Sequence, residues 1–426
     1  VQLCSTKGEQ QVNQHNKTVA LLLAGAGLGL AATAQAEVTI YGTLLPFVDS
    51  YRTSGVTNSA PSNAPNQVKS YTGINVPSMG RISSNTSNLG FKGSEDLGNG
   101  LKAVWQVESQ VNVDGDTVPA PTLGSRNSRV GLSSSNWGTL FMGNWDTPYK
   151  AAQMVVNPFM AVNPFDDYLI GNPGFGVPGT TTQAGRANSK ADASFSRRQG
   201  NSVQYWSPSV AGFSVRADYS FGEGRTSPTT SVAGINPKLW SASLAYNNGP
   251  FSVSYAYEQH RDYFGLSQLG GSAGASASNA SSKDDGHTLV ALYKFPTATR
   301  VGLILERLSY RNDDGAAAAV TDFKRNAVYT LVQQYFGPHQ VWGSLGKAYA
   351  GSCSANGVAC SSNGLGATQW SVGGAYALSK RTQLYAAYYG INNQQSASYV
   401  IAGAPAGAAS PGADSRGIGM GLIHTF

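Results

Sequence analysis

The chain has 426 residues, a formal net charge of +6, 12 % charged residues and 51 glycines. A water-soluble protein of this length usually carries about twice that charged fraction. Gly, Ser, Asn and Thr also interrupt every window long enough for an extended helix. The basic residues are scattered and carry no recognisable motif, so a nucleic-acid partner is not expected.

At the start of the chain, Lys17 precedes an uncharged run over 19–34, and Ala34-Gln35-Ala36 fits a small-x-small cleavage site. This pattern predicts a secretory signal peptide over residues 1–36, with Glu37 first in the mature chain. The run is shorter than the roughly 20 apolar residues a spanning helix needs. The polar residues 1–16, beginning at Val1, read as a misplaced translation start. Gly25, Gly27 and Gly29 follow no strand pattern, so they do not make a nucleotide loop. No later stretch is long and apolar enough to span as a helix. An exported chain of this kind is either soluble or a β-barrel in an outer membrane.

Period-two alternation recurs along residues 37–426. At 101–108, Leu101, Ala103, Trp105 and Val107 share one face, opposite Lys102, Gln106 and Glu108. At 213–221, Phe213, Val215, Ala217, Tyr219 and Phe221 alternate with Ser214, Arg216, Asp218 and Ser220. Residues 251–258 repeat the pattern with Glu258 on the polar face. A half-buried strand of a soluble sandwich alternates in the same way, so the connections must decide. Seven short Gly/Pro/Asn/Ser-rich turns fall at 95–100, 134–138, 207–212, 247–250, 296–299, 337–339 and 379–381. Eight longer polar segments lie between them, at about 52–84, 110–125, 146–196, 222–238, 259–285, 311–321, 349–368 and 393–415. These fifteen connections predict an all-β fold, a sixteen-stranded antiparallel transmembrane β-barrel with short turns on one side and long loops on the other. A barrel that wide holds water rather than a packed core.

Several residues stand out within this frame. The segment 146–196 is the longest, and a loop of that length without its own pattern is usually functional or disordered. It carries Asp166 and Asp167. Lys92 falls inward by parity with Asn88 and Gly90. Cys353 and Cys360 lie in a Ser/Gly/Asn-rich segment. In an exported protein they close a loop disulfide, two free loop thiols being the alternative. His260 and His287, with Asp262, Asp284 and Asp285, imitate a hydrolase site, although solvated loop residues read the same way. Metal-ligand spacing such as H-E-x-x-H is absent from the sequence, and neither a metal nor a cofactor is expected. The Ser/Ala/Gly-rich stretch 272–282 leaves a surface adhesin as a further alternative. The chain finishes on an alternating strand with Ile418, Met420 and Leu422 on one face, extended by Phe426. That suits a barrel whose last strand must pair with its first.

The stretch NLGFKGSEDLGNGLKA at 88–103 resembles the second strand of Gram-negative general porins, in the branch common in β-proteobacteria. VTIYG at 38–42, RNSRVGL at 126–132 before WGT at 137–139, and NSVQYWSP at 201–208 before Gly212-Phe213 fit the same family. The resemblance covers residues 37–426 as a single domain. It implies a homotrimer in the outer membrane, in contact with its lipid and lipopolysaccharide, passing ions and small hydrophilic solutes. It further implies that the loop at 146–196 folds into the barrel as a constriction, with Asp166 and Asp167 facing Lys92, Arg126 and Arg198 on the wall. Asn88 departs from the Arg common at that position, which leaves the basic ladder one charge short. Parity places Arg126 on the face of Val130 and Leu132, and Arg129 on the other. Arg126 is kept inward, which leaves Arg129 outward, where a subunit interface would hide it. Phe426 would serve as an assembly signal. A solute-selective channel is the nearest alternative, but such channels stack aromatics along the pore, and parity here sends most aromatics outward.

Overall fold

The computed structural model describes residues 37–57, 75–115, 122–158, 168–175, 193–222, 224–229, 234–269, 281–313, 320–355, 357–401 and 410–426. The strands in chain order begin with β1 (Glu37–Leu44), β2 (Phe47–Ser54), β3 (Met79–Ser83), β4 (Asn88–Gly98) and β5 (Leu101–Gln110). They continue with β6 (Ser128–Ser134), β7 (Gly138–Asp146), β8 (Arg198–Trp206), β9 (Phe213–Ser220) and β10 (Lys238–Asn248). Next come β11 (Phe251–Arg261), β12 (Ser281–Lys294), β13 (Thr299–Asp313), β14 (Val320–Phe336) and β15 (His339–Ala348). The last are β16 (Ser352–Ala355), β17 (Val358–Cys360), β18 (Ala367–Ala377), β19 (Thr382–Asn393) and β20 (Asp414–Thr425). One short helix, α1 (Pro148–Gln153), is present among the described residues.

All strand pairs are antiparallel, and they close into a barrel of sixteen crossings. The first crossing, read from sequence as one strand, is broken into β1 and β2 at Leu45-Pro46, where Pro46 has no N–H to give the ladder. The second is broken into β3 and β4 at 84–87, and Ser87 Oγ accepts from Leu45 N at 2.8 Å, so each break satisfies the other. β16 and β17 are not crossings. They form a hairpin that extends β14 in one of the long loops, with Cys353 and Cys360 as cross-strand partners 5.3 Å apart at Cα.

Closure runs along β20, which pairs with β19 on one side and with β1 and β2 on the other. Phe426 continues this ladder, exchanging backbone hydrogen bonds with Gly42 at 3.1 and 3.2 Å. A Cβ on Gly42 would lie 2.5 Å from the Phe426 ring, so only glycine admits that ring against the strand. The β4–β5 turn uses Asn99 and Gly100, both at positive φ (53° and 76°), as a right-twisted tight hairpin requires.

The outer face is apolar. Val38, Ile40, Val130, Leu140, Met142, Val341, Ile418 and Met420 project from it, exposed. Such a continuous band belongs in lipid, because an exposed apolar belt in water promotes aggregation. Outward aromatics bracket the band. Phe213, Tyr246, Phe251, Tyr293 and Phe336 lie near the short turns, and Tyr219, Trp240 and Tyr257 nearer the long loops. Two aromatic girdles of this kind mark the two membrane interfaces.

Candidate pore constriction

The segment after β7 runs inside the barrel. Thr147 caps α1 by accepting from Lys150 N, and Pro148 fits the first helical turn because its missing N–H has no partner there. Tyr149 packs against Phe195, and Val156 sits over Gly302 of β13. Farther along, Leu169 lies beside Gly346 of β15, and Ser398 N donates to Gly174 O at 2.9 Å. The described parts of this loop therefore cover the inner face of the wall from β10 to β18. Among the described residues, the inner face from β4 to β9 is left open except near Asp146, where Lys150 reaches the end of β7.

Two buried charges anchor the loop. Glu306 Oε1 on β13 accepts from Tyr149 OH at 2.7 Å, Gln153 Nε2 at 3.0 Å and Gly171 N at 2.8 Å. Glu306 Oε2 lies 2.8 Å from Arg325 Nη2 on β14, and both side chains are fully buried. Arg325 also donates to Leu169 O at 2.9 Å and to Asn172 O. Loop backbone and barrel wall are thus joined through one ion pair whose Glu306 Oε1 and Arg325 Nη2 also bond the loop. Sequence reasoning passed over both residues. Their inward parity, with Ile304 and Leu308 beside Glu306 and with Phe323 and Ala327 beside Arg325, was the available signal.

The open wall is basic. Lys92 on β4 points into the lumen, exposed, with Nζ 5.0 Å from the Tyr41 ring centroid. Arg126 donates from Nε to Glu108 Oε1 at 2.7 Å and from Nη1 to Gln110 Oε1 at 3.1 Å. Arg198, at the start of β8, donates from Nε to Asn127 Oδ1 at 2.6 Å, with Nη2 3.4 Å from Asp146 Oδ1. Lys150 of α1 pairs with the same Asp146 oxygen at 2.8 Å. Arg126 and Arg198 are therefore joined through Asn127 and its neighbours, while Lys92 stands one row away. Asp166 and Asp167 lie outside the described residues.

Arg129 is inward, opposite Val130 and Leu132 as its parity requires and contrary to the outward placement that followed from keeping Arg126 inward. β6 begins only at Ser128, so Arg126 precedes the strand and does not set its phase. In register, Arg129 lies level with Gln106 and Lys92 on the lumen face, while Val130 and Leu132 are exposed on the outer face. Its guanidinium sits 4.7 Å from the Phe141 ring, 4.5 Å from Trp145 and 4.7 Å from Trp206. Arg216 on β9 stacks on the same Trp206 at 4.7 Å. Among the described residues Lys92, Arg129 and Arg216 have no carboxylate partner. Stacking on aromatic faces holds them in place and leaves their charge uncompensated.

The residues that imitate a hydrolase site are divided between the two faces of the sheet. His260 is fully buried inside, between Phe195 and Tyr263, with Nε2 2.9 Å from Glu258 Oε1. Asp284 is inward and accepts from Gly265 N at 3.2 Å. His287 and Asp285 point outward, where they bond Tyr255 and Tyr257.

A closed antiparallel barrel, apolar outside and charged within, with its own loop folded into the lumen, defines a channel of the outer-membrane class. Residues 18–396 match the Gram-negative porin family, and the chain belongs to that family. It is 28 % identical to outer membrane porin protein 32 of Delftia acidovorans over 95 % of this chain and 97 % of that one. It is 29 % identical to the major outer membrane protein P.IB of Neisseria meningitidis over 74 % of this chain and 85 % of that one. Among solved structures, an anion-selective porin from Comamonas acidovorans superposes with a TM-score of 0.65 at 20 % identity, covering 92 % of this chain and 100 % of that one. The trimer form of OmpT from Vibrio cholerae gives 0.53 at 13 % identity, covering 92 % and 99 %. The protein is a porin of the Gram-negative outer membrane, a water-filled channel through which ions and small hydrophilic solutes diffuse.

Proposed function

We propose that the pore is narrowest between the internal loop at 146–196 and the wall of β4–β9, and that it favours small anions. The observation that carries this reading is the set of uncompensated lumen cations, Lys92, Arg129 and Arg216, on the side the loop leaves open. Arg126 and Arg198 extend the same wall, with Glu108 and Asp146 each offsetting part of their charge. Asp166 and Asp167 supply the loop-side carboxylates, so solutes cross between fixed charges of opposite sign. The anion selectivity of the Comamonas porin fits this reading. Reversal potentials of the purified channel in a chloride salt gradient test it: anion preference is expected, and cation preference refutes it.

The working assembly in this reading is a homotrimer within the lipid and lipopolysaccharide of the outer membrane, in line with the trimer form of OmpT. Phe426 is its assembly residue, because its backbone and ring complete the seam with Gly42. Deleting Phe426 is expected to lower the amount of folded trimer in the outer membrane several-fold, measured by heat-modifiable mobility. Wild-type levels would remove the seam from the argument.

Cys353 and Cys360 form a loop disulfide. Their Cα separation falls within the usual range of about 4.4–6.8 Å. Non-reducing peptide mapping is expected to recover them linked, and Cys360→Ser is expected to leave conductance unchanged because the hairpin lies on a loop extension. Two free thiols in protein taken from the outer membrane would refute the bond.

A further inference from the structure

The outer wall of β11–β14 carries a feature that diffusion through the lumen does not use. Register places Tyr255, Leu289, Leu305 and Val328 side by side on the outward face, within the apolar band. One row nearer the long loops, about 7 Å higher at the usual strand rise, come His287 and Arg307. Lys324 follows in the next row, and Arg261, Lys283 and Arg311 in the one after. Lys283 pairs with Asp285 at 3.2 Å, and Arg311 with Asp322 at 3.1 Å. Arg307, Lys324 and Arg261 have no carboxylate partner among the described residues. Arg307 and Lys324 line an open groove of about 650 Å³ with Tyr255, Tyr257, His287 and Ser309, and the Lys283–Asp285 pair completes its lining. All of these side chains point away from the lumen.

An uncompensated cation on the lipid side of a barrel is costly at mid-depth and nearly free at the interface. Here the cations begin one row above the hydrocarbon band, at the level of the upper aromatic girdle. That is the depth of lipid headgroups. Arg offers a planar fork suited to phosphate oxygens and Lys a point charge, and the two flank one groove. Tyr255 and Tyr257 at its floor suit the junction between a sugar headgroup and its acyl chains.

We propose that this groove binds the phosphorylated glucosamine headgroup of an outer-leaflet lipopolysaccharide, with Arg307 and Lys324 as the phosphate ligands. The inference rests on the porin being in contact with lipopolysaccharide, and it places one such contact. The occupant is an anionic lipid rather than a second copy of the chain, because the groove opens onto the apolar band and the excess charge there is positive.

The test is lipid retention by the folded, purified channel after exchange into detergent, read by native mass spectrometry. Bisphosphorylated lipid A, dephosphorylated lipid A and phosphatidylglycerol are added back separately. Wild type is expected to retain bisphosphorylated lipid A at least ten-fold better than the dephosphorylated form. The double variant Arg307→Ala, Lys324→Ala is expected to lose at least ten-fold in retention while single-channel conductance stays at the wild-type value. Should that variant not assemble, Arg307→Gln with Lys324→Gln serves for the same measurement. Equal retention by wild type and variant overturns the site while leaving lipopolysaccharide contact elsewhere intact. No retention by wild type overturns both. Equal retention of the dephosphorylated lipid, stronger binding of phosphatidylglycerol, or a change in oligomeric state without a change in lipid also overturns the proposal.

Discussion

Replacing Lys92 and Arg216 by Gln is expected to move the reversal potential toward cations, and adding Arg129→Gln to move it further. Lys92 and Arg216 are exposed to the lumen and have no carboxylate partner among the described residues. A unit charge about 4 Å from an ion in water is worth about 1 kcal/mol, so two such losses, about 2 kcal/mol, should lower the anion-to-cation preference about thirty-fold at low salt. The shift should shrink as salt rises and the screening length falls to about 3 Å at 1 M. Neutralising Arg126 and Arg198 should move the potential in the same direction. That pair should also lower stability, because Glu108 would lose its ion-pair partner inside the barrel and Asp146 would keep only Lys150 of its two. Replacing Asp166 and Asp167 by Asn should move it the other way. Unchanged selectivity at low salt in the Lys92/Arg216 and triple variants would locate the filter elsewhere in the lumen.

The outer face of this barrel was open to reading from sequence because lipid permits few residue types there. Ile418, Met420 and Leu422 face outward as their spacing requires, and the sixteen crossings follow from the alternation of short and long connections. The inner face was less legible. Polar residues were expected throughout it, yet Val290, Ile304, Leu308 and Leu331 point inward and are buried. They share one cluster with Val156, Leu169, Phe195 and Leu266, which belong to loops folded into the lumen. A period-two pattern cannot register an apolar partner brought from a hundred residues away. Arg129 was misread for a smaller reason. A strand's phase can be counted only from where the strand starts, and the sequence around 126–128 does not mark that start. The breaks that split the first two crossings had one visible cause, Pro46, while the matching break at 84–87 arises from its neighbour.

The largest loss of stability is expected from breaking the Glu306–Arg325 pair one partner at a time. Each single variant, Glu306→Leu or Arg325→Leu, strands a buried charge and should cost about 3–5 kcal/mol. The double variant Glu306→Leu, Arg325→Met should recover most of that, since a buried ion pair replaced by apolar groups of similar volume is often close to neutral. Channel behaviour should divide differently. Gly171 N, Leu169 O and Asn172 O lose their wall partners in the double variant as well, so the loop segment around 168–172 is held more weakly, with the Leu169 N to Gln369 Oε1 bond at 3.2 Å remaining. Single-channel records of the double variant should therefore stay noisy at near-normal thermal stability, whereas wild type is quiet. Thermal unfolding followed by far-UV circular dichroism, together with bilayer recordings, separates the two effects. If both singles were as stable as the double, or if the double gave quiet openings, the pair would be a barrel contact only, and the loop would be held by the apolar packing of Val156, Leu169 and Phe195.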